Sequence, residues 1–123
     1  MLGVDIVASH PTRAAAPEFA WLEVDRLVLK GKSRAMPVYA LAGDAATAAS
    51  ERFRELARRH DEILAAYRAR NFERARRLAA DAAALAPKEI QGLYTNYYQE
   101  RFAFLATSDL DPSWEPVFWL ETK

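Results

Sequence analysis

The spacing of apolar positions changes once along the chain. In the first third, apolar-rich runs occupy residues 4–9 (VDIVAS), 24–29 (VDRLVL) and 36–41 (MPVYAL). The last two flank a short basic turn containing Gly31, the pattern of an antiparallel hairpin. A hairpin alone is marginal in water, so this one needs a partner surface. Beyond residue 50 apolar residues recur every three or four positions, which predicts helices. Phe53, Leu56, Ala57, His60, Leu64 and Tyr67 share one face of the first, with Asp44 or Ser50 available to cap it. Asn71 opens a second, with Phe72, Ala75, Leu78, Ala82 and Leu85 on one face and Pro87 limiting its end. The short link between them predicts an antiparallel pair. A third helix over residues 88–106 carries a broad stripe of Ile90, Leu93, Tyr94, Tyr97, Tyr98, Phe102 and Leu105.

The ending DPSWEPVFWLETK holds too much proline for a helix and too much aromatic surface to leave in water. An extended strap is expected, docked on Tyr94, Tyr97, Tyr98 and Phe102, with Arg101 pairing with an acid of the strap or stacking on Trp114. The fold class read from these patterns is α+β: a small antiparallel β-unit of three strands, then three helices and an aromatic C-terminal strap. The composition shift at Gly43/Asp44 divides the chain into residues 1–43 and 44–123.

At 123 residues the chain fits one domain, or two small subdomains sharing a core. Its 17 basic and 17 acidic residues balance, which argues against a nucleic-acid partner or an anionic membrane surface. The segment RARNFERARR mixes basic residues with an aromatic, but Phe72 falls on the apolar face and Glu73 interrupts the arginines. Cysteine is absent, which removes disulfides, thiol catalysis and thiolate metal sites. Apolar runs fall short of the roughly 20 residues of a membrane span, and the start MLGVDIVASHPTR lacks the order of a signal peptide. Cytoplasmic location without direct membrane contact is the expectation. His10 and His60 have no spacing that would bring them together on a metal.

Two resemblances sharpen this reading. Residues 4–43, through Val28, Lys30, Gly31, Lys32, Val38, Tyr39 and Leu41, resemble the C-terminal end of the class III adenylate/guanylate cyclase catalytic domain, where a strand and helical turn precede a lysine-bearing hairpin. In that family the lysine at the position of Lys30 contacts the substrate triphosphate, a point charge on phosphate oxygens. The family's metal-binding aspartates, purine-selecting residues and Asn-x-x-x-Arg pair belong upstream and cannot be placed here. The second stretch, AAYRARNFERARRLAADAAALAP, resembles a tetratricopeptide helix pair through Ala65, Tyr67, Phe72, Ala75, Leu78, Ala82, Leu85 and Pro87. Cyclases with such an extension end in a Trp-Asp-Gly-Val-Phe type sequence. SWEPVFWLETK keeps Trp114, Val117, Phe118, Thr122 and Lys123 but has Glu115-Pro116 for Asp-Gly.

The resemblances together imply the C-terminal fragment of a cyclase, supplying part of the nucleotide half-site and a regulatory or dimerisation extension, inactive alone. Lys30 is the candidate substrate-binding residue, with no catalytic or metal-ligating residue in the chain. Magnesium or manganese, and ATP or GTP, would enter only in the intact enzyme. The implied partners are the rest of the catalytic domain and a second copy of the chain. An open strand edge and apolar face around Val4, Ile6 and Val28 would favour that dimer. The contrasting expectation is a helical protein-interaction module with no catalytic role.

Overall fold

A computed structural model describes residues 7–9, 18–29 and 36–120. The sheet has four strands in the order β1-β3-β2-β4. They are β1 (Val7–Ser9), β2 (Ala20–Leu29), β3 (Met36–Gly43) and β4 (Phe118–Leu120). β2 and β3 form the predicted hairpin, each longer than its apolar run, and β1 pairs antiparallel with the far side of β3. The fourth strand corrects the expectation of a purely antiparallel three-stranded unit. The end of the strap pairs parallel with β2, in the register Leu27–Phe118, Val28–Trp119 and Leu29–Leu120. This covers the edge of β2 beside Val28, which is itself buried. Val4 and Ile6, the rest of the expected open face, lie outside the described residues.

Alternation along β3 is regular, with Val38, Ala40 and Ala42 turned to the core. Along β2 it breaks. Glu23 pairs with Tyr39 while Asp25 pairs with Val38, so Val24 is an extra residue in a β-bulge. Ala20, Leu22 and Val24 face inward before the bulge, and Asp25 and Leu27 face inward after it. A charged side chain is thereby turned into the core.

The helical layer begins where composition shifts. Asp44 caps a short helix, α1 (Ala45–Ala49), through the Thr47 N–H, and Ser50 caps α2 (Glu51–Arg68) through the Phe53 N–H. Both candidate caps are used, one for each helix. Gly43 lies so close to α1 that a Cβ there would overlap the Thr47 side chain. α3 (Phe72–Ala82) starts at the Asn71 cap. Arg52, near the start of α2, donates to the Ala84 and Leu85 carbonyls beyond the end of α3, at 2.8 and 3.2 Å. The two helices are thus antiparallel, and Ala75, Ala79 and Ala82, all fully buried, let their backbones approach.

The third predicted helix is composite. A 3₁₀ turn (Lys88–Ile90) and a π-helical turn (Leu93–Tyr97) lead into α4 (Tyr98–Ala106). One apolar core joins the inner face of β2 and β3 to all three long helical segments. Outside it, Arg58 and Arg59 pair with Glu55 at the surface, where solvent screens the attraction.

Trp114 of the strap docks elsewhere than on the predicted stripe. The ring of Trp114 stands edge-on to Tyr67 at 6.2 Å and to Phe72 at 5.7 Å, at the junction of α2 and α3. The expected receptor is already engaged, because Tyr94, Tyr97, Tyr98 and Phe102 are buried against the sheet and one another. Trp114→Ala is expected to destabilise the chain by about 1–3 kcal/mol through lost ring packing. Thermal unfolding followed by circular dichroism measures this. An unchanged melting temperature would mean that the indole adds nothing to the core.

Candidate functional site

Among the described residues, Asp25 and His60 are the polar or charged residues of the core, and both serve the bulge of β2. The Asp25 carboxylate accepts from the Tyr97 hydroxyl at 2.6 Å, the Arg101 Nε at 3.1 Å, the Tyr67 hydroxyl at 3.1 Å and the Arg26 N–H at 2.8 Å. Arg101 also donates through Nη2 to the Tyr67 hydroxyl at 2.6 Å, and its guanidinium lies over the Tyr67 ring. Each of these groups presents a donor to Asp25, an arrangement that suits the anion.

Beside this cluster the bulge backbone is held directly. His60 Nε2 donates to the Glu23 carbonyl at 2.5 Å, which fixes the tautomer, and Nδ1 accepts from the Tyr94 hydroxyl at 2.8 Å. The Tyr98 hydroxyl donates to the Val24 carbonyl at 2.5 Å. The irregular stretch Glu23-Val24-Asp25 is therefore read by α2, by the π turn and by α4. No buried side-chain nitrogen or oxygen among the described residues lacks a partner.

Burial sets the proton affinities. It pushes the Asp25 carboxyl above its ordinary value, against the opposing pull of Arg101 and the donating hydroxyls. It lowers His60, keeping the imidazole neutral, and raises Tyr67, Tyr94, Tyr97 and Tyr98, which stay protonated as donors. Chemically this cluster locks side chains in place. Among the described residues, Tyr97, Tyr67, Arg101 and the Arg26 N–H take up the hydrogen-bonding directions of the carboxylate.

A groove of about 460 Å³ lies beside it, between α2 and the first half of β2, lined by Trp21, Glu23, Tyr39, His60, Asp61 and Arg68. Arg68 and Glu23 form an ion pair across it at 3.2 Å. Among the described residues no three His, Cys, Asp or Glu side chains come together to hold a metal, and no helix is long and apolar enough to cross a membrane.

Lys30, the candidate triphosphate contact, lies outside the described residues, as does His10. Arg101 corrects its expectation. It pairs with Asp25 of β2 and stacks on Tyr67, while Arg70 takes the place over Trp114, 5.3 Å from the ring centroid. Asp25 itself escaped the sequence reading. Simple alternation from Leu22 puts it on the outer face with Glu23, and only the bulge turns it inward. The available signal was its position inside the apolar run VDRLVL, with a lone arginine in the aromatic stripe of α4 to match it.

Comparison with protein-family models, curated proteins and solved structures finds no match for this chain.

Two predictions follow from the cluster's electrostatics. Arg101→Met leaves Asp25 buried without its cation and is expected to cost about 3–5 kcal/mol, whereas Arg101→Met combined with Asp25→Asn costs less than the sum of the two single changes. A double-mutant cycle by denaturant unfolding gives the coupling, and additive changes would mean that the two groups do not interact.

The second concerns pH. Folded His60 titrates below the 6.5 of a free imidazole, so below that pH the unfolded chain binds more protons and stability falls on acidification. Asp25 acts with the opposite sign. Its raised value makes the folded chain the better proton binder, so its contribution declines as pH rises from 3.8 through the folded value. His60→Gln is therefore expected to flatten the loss of stability just below pH 6.5. An acid limb of unchanged slope in that variant would assign it to other groups.

Proposed function

We propose that this chain is the C-terminal portion of a class III nucleotide cyclase, contributing a triphosphate-contacting hairpin and a helical extension that braces it. The observation that carries this reading is the sheet order. A strand ending at Ser9 pairs with β3, the second strand of a hairpin whose first strand runs directly into Lys-Gly-Lys, and the helical layer follows at once from Asp44. That is the order in which the resembling segments of the cyclase domain and its extension occur. Lys30 follows Leu29, the last residue of β2, and its role is a point charge on the triphosphate.

The residues described here do not provide a metal site. Asp25 is taken up by Arg101 and the tyrosines, and no acidic cluster stands beside it. Magnesium or manganese is accordingly assigned to the remainder of the cyclase domain, together with the groups that would activate the ribose hydroxyl. The extension, with its tetratricopeptide-like helix pair, is fastened to the hairpin strand through the Asp25 cluster. In this reading it is a brace for β2 and a surface for dimerisation or regulation. The contrasting reading, an interaction module without catalytic role, draws on the groove between α2 and β2.

The purified chain is expected to form no cyclic nucleotide from ATP or GTP with magnesium or manganese. Joined to an upstream segment bearing the metal-binding aspartates and the Asn-x-x-x-Arg pair, it should form product, and Lys30→Ala should lower that rate on the order of 10²-fold, the scale for losing one group that stabilises developing charge. Sustained turnover by the chain alone, or a joined enzyme indifferent to Lys30→Ala, would falsify the assignment.

A further inference from the structure

Arg70 ends the α2–α3 turn with a φ of 63°, the left-handed region that glycine enters freely and a side chain enters at a cost of roughly 1–2 kcal/mol. Among the described non-glycine residues it is the one with positive φ. The backbone at this turn would be served better by glycine, so the reason for an arginine has to lie in its side chain.

That side chain reaches the strap. Arg70 Nη2 lies 2.9 Å from the Asp111 carbonyl, 3.1 Å from that of Pro112 and 3.2 Å from that of Trp114, and the guanidinium covers the Trp114 ring. Further along, Arg101 Nη2 donates to the Val117 carbonyl at 2.6 Å. β4 is then held by three backbone pairings to β2. Residues 111–117 are otherwise exposed or half-buried. Apart from Trp114, the strap from Asp111 to Val117 is thus held by main-chain carbonyls, and two arginines do the holding, one from the α2–α3 turn and one from α4.

The weights differ between the strap and what lies under it. Hydrogen bonds to exposed carbonyls and a half-buried indole contribute little beside the fully buried Tyr67, Phe102, Leu56 and Ile63 of the core. The strap can therefore open while the α2–α3 pair stays closed. Its opening is not local, because Arg101 holds Val117 with the same guanidinium that holds Asp25, and β4 borders Leu27 to Leu29.

We infer that residues 111–120 form a latch which opens as a unit separate from the helical core, that Arg70 is kept in its strained conformation to close it, and that its opening loosens the end of β2. The inference does not depend on the cyclase reading.

The test is native-state hydrogen exchange on the full chain, comparing the unmodified protein with Arg70→Gly and Arg70→Lys. Arg70→Gly keeps the turn and relieves its strain while removing the guanidinium. The expectation is opposite effects in one protein. Exchange at the amides of residues 118–120 and 27–29 speeds up together by roughly 5–30-fold, the range of one to two kcal/mol, while amides in the middle of α2 and α3 are protected equally or better. Arg70→Lys retains the charge but loses the planar fork, and should fall between the two. Three results would each overturn the latch: strap protection unchanged in Arg70→Gly; strap amides that already exchange only through global unfolding, at the rate of the α2 core, in the unmodified chain; or faster exchange at residues 118–120 without any change at residues 27–29. Helix protection lost in step with the strap would show that Arg70 serves the turn alone, which equally rejects the proposal.

Discussion

The rest of the structure depends on one irregularity, the extra residue at Val24 in β2. An uninterrupted strand would place Asp25 in solvent and need nothing from the helices. The bulge turns its carboxylate inward and takes the Glu23 and Val24 carbonyls out of regular pairing, so the opposing layer must supply donors at defined positions. His60 and Tyr67, two turns apart on α2, supply two of them, and Tyr97, Tyr98 and Arg101 supply the rest. The tyrosine stripe is explained on the same terms. Phenylalanines could fill that volume, but they would strip two donors from the Asp25 anion and leave the Val24 carbonyl and His60 Nδ1 unpaired in a dry interior, at about 1–3 kcal/mol for each neutral group.

The π turn belongs to the same account. Such turns insert one residue into a helix and occur where side chains must be re-aimed. Here it ends at Tyr97, and the next residue, Tyr98, starts α4. Adjacent residues normally point about 100° apart on a helix. These two reach adjacent parts of one bulge, Tyr97 the Asp25 carboxylate and Tyr98 the Val24 carbonyl.

What the sequence disclosed divides along a physical line. Features governed by local periodicity and local hydrogen bonding were legible: the hairpin, the caps at Asp44, Ser50 and Asn71, the helix pair with its alanines, and the inward face of α4. Features that depend on a one-residue phase change or on competition between distant surfaces were not. Asp25 reads as an outward residue until the bulge is known. The aromatic stripe reads as an open receptor for the strap until the sheet is seen to have claimed it first, leaving Trp114 to the smaller site between Tyr67 and Phe72. Arg101 was recognised as needing an anion, but the nearer acids in sequence, those of the strap, were the wrong ones. Charge complementarity names a type of partner and leaves its position to the fold.

A buried ion pair of this kind adds little net stability, because desolvating both groups offsets most of their attraction. Its consequence here is selectivity among alternative pairings. Sliding β2 by one residue against the helices, or removing the bulge, would send Asp25 to the outer face and leave Arg101 under the sheet without an anion, a far larger penalty than an apolar core would impose for the same slip. The pair therefore penalises wrong registers more than it rewards the right one. Because Arg101 also grips Val117, the same selection extends to the strap. The guanidinium that Asp25 holds also donates to the Val117 carbonyl just before β4, which ties the position of β4 beside Leu27 to Leu29 to the bulge. Residues from opposite ends of the chain are in this way fitted to one backbone irregularity, immediately before the lysine-bearing turn.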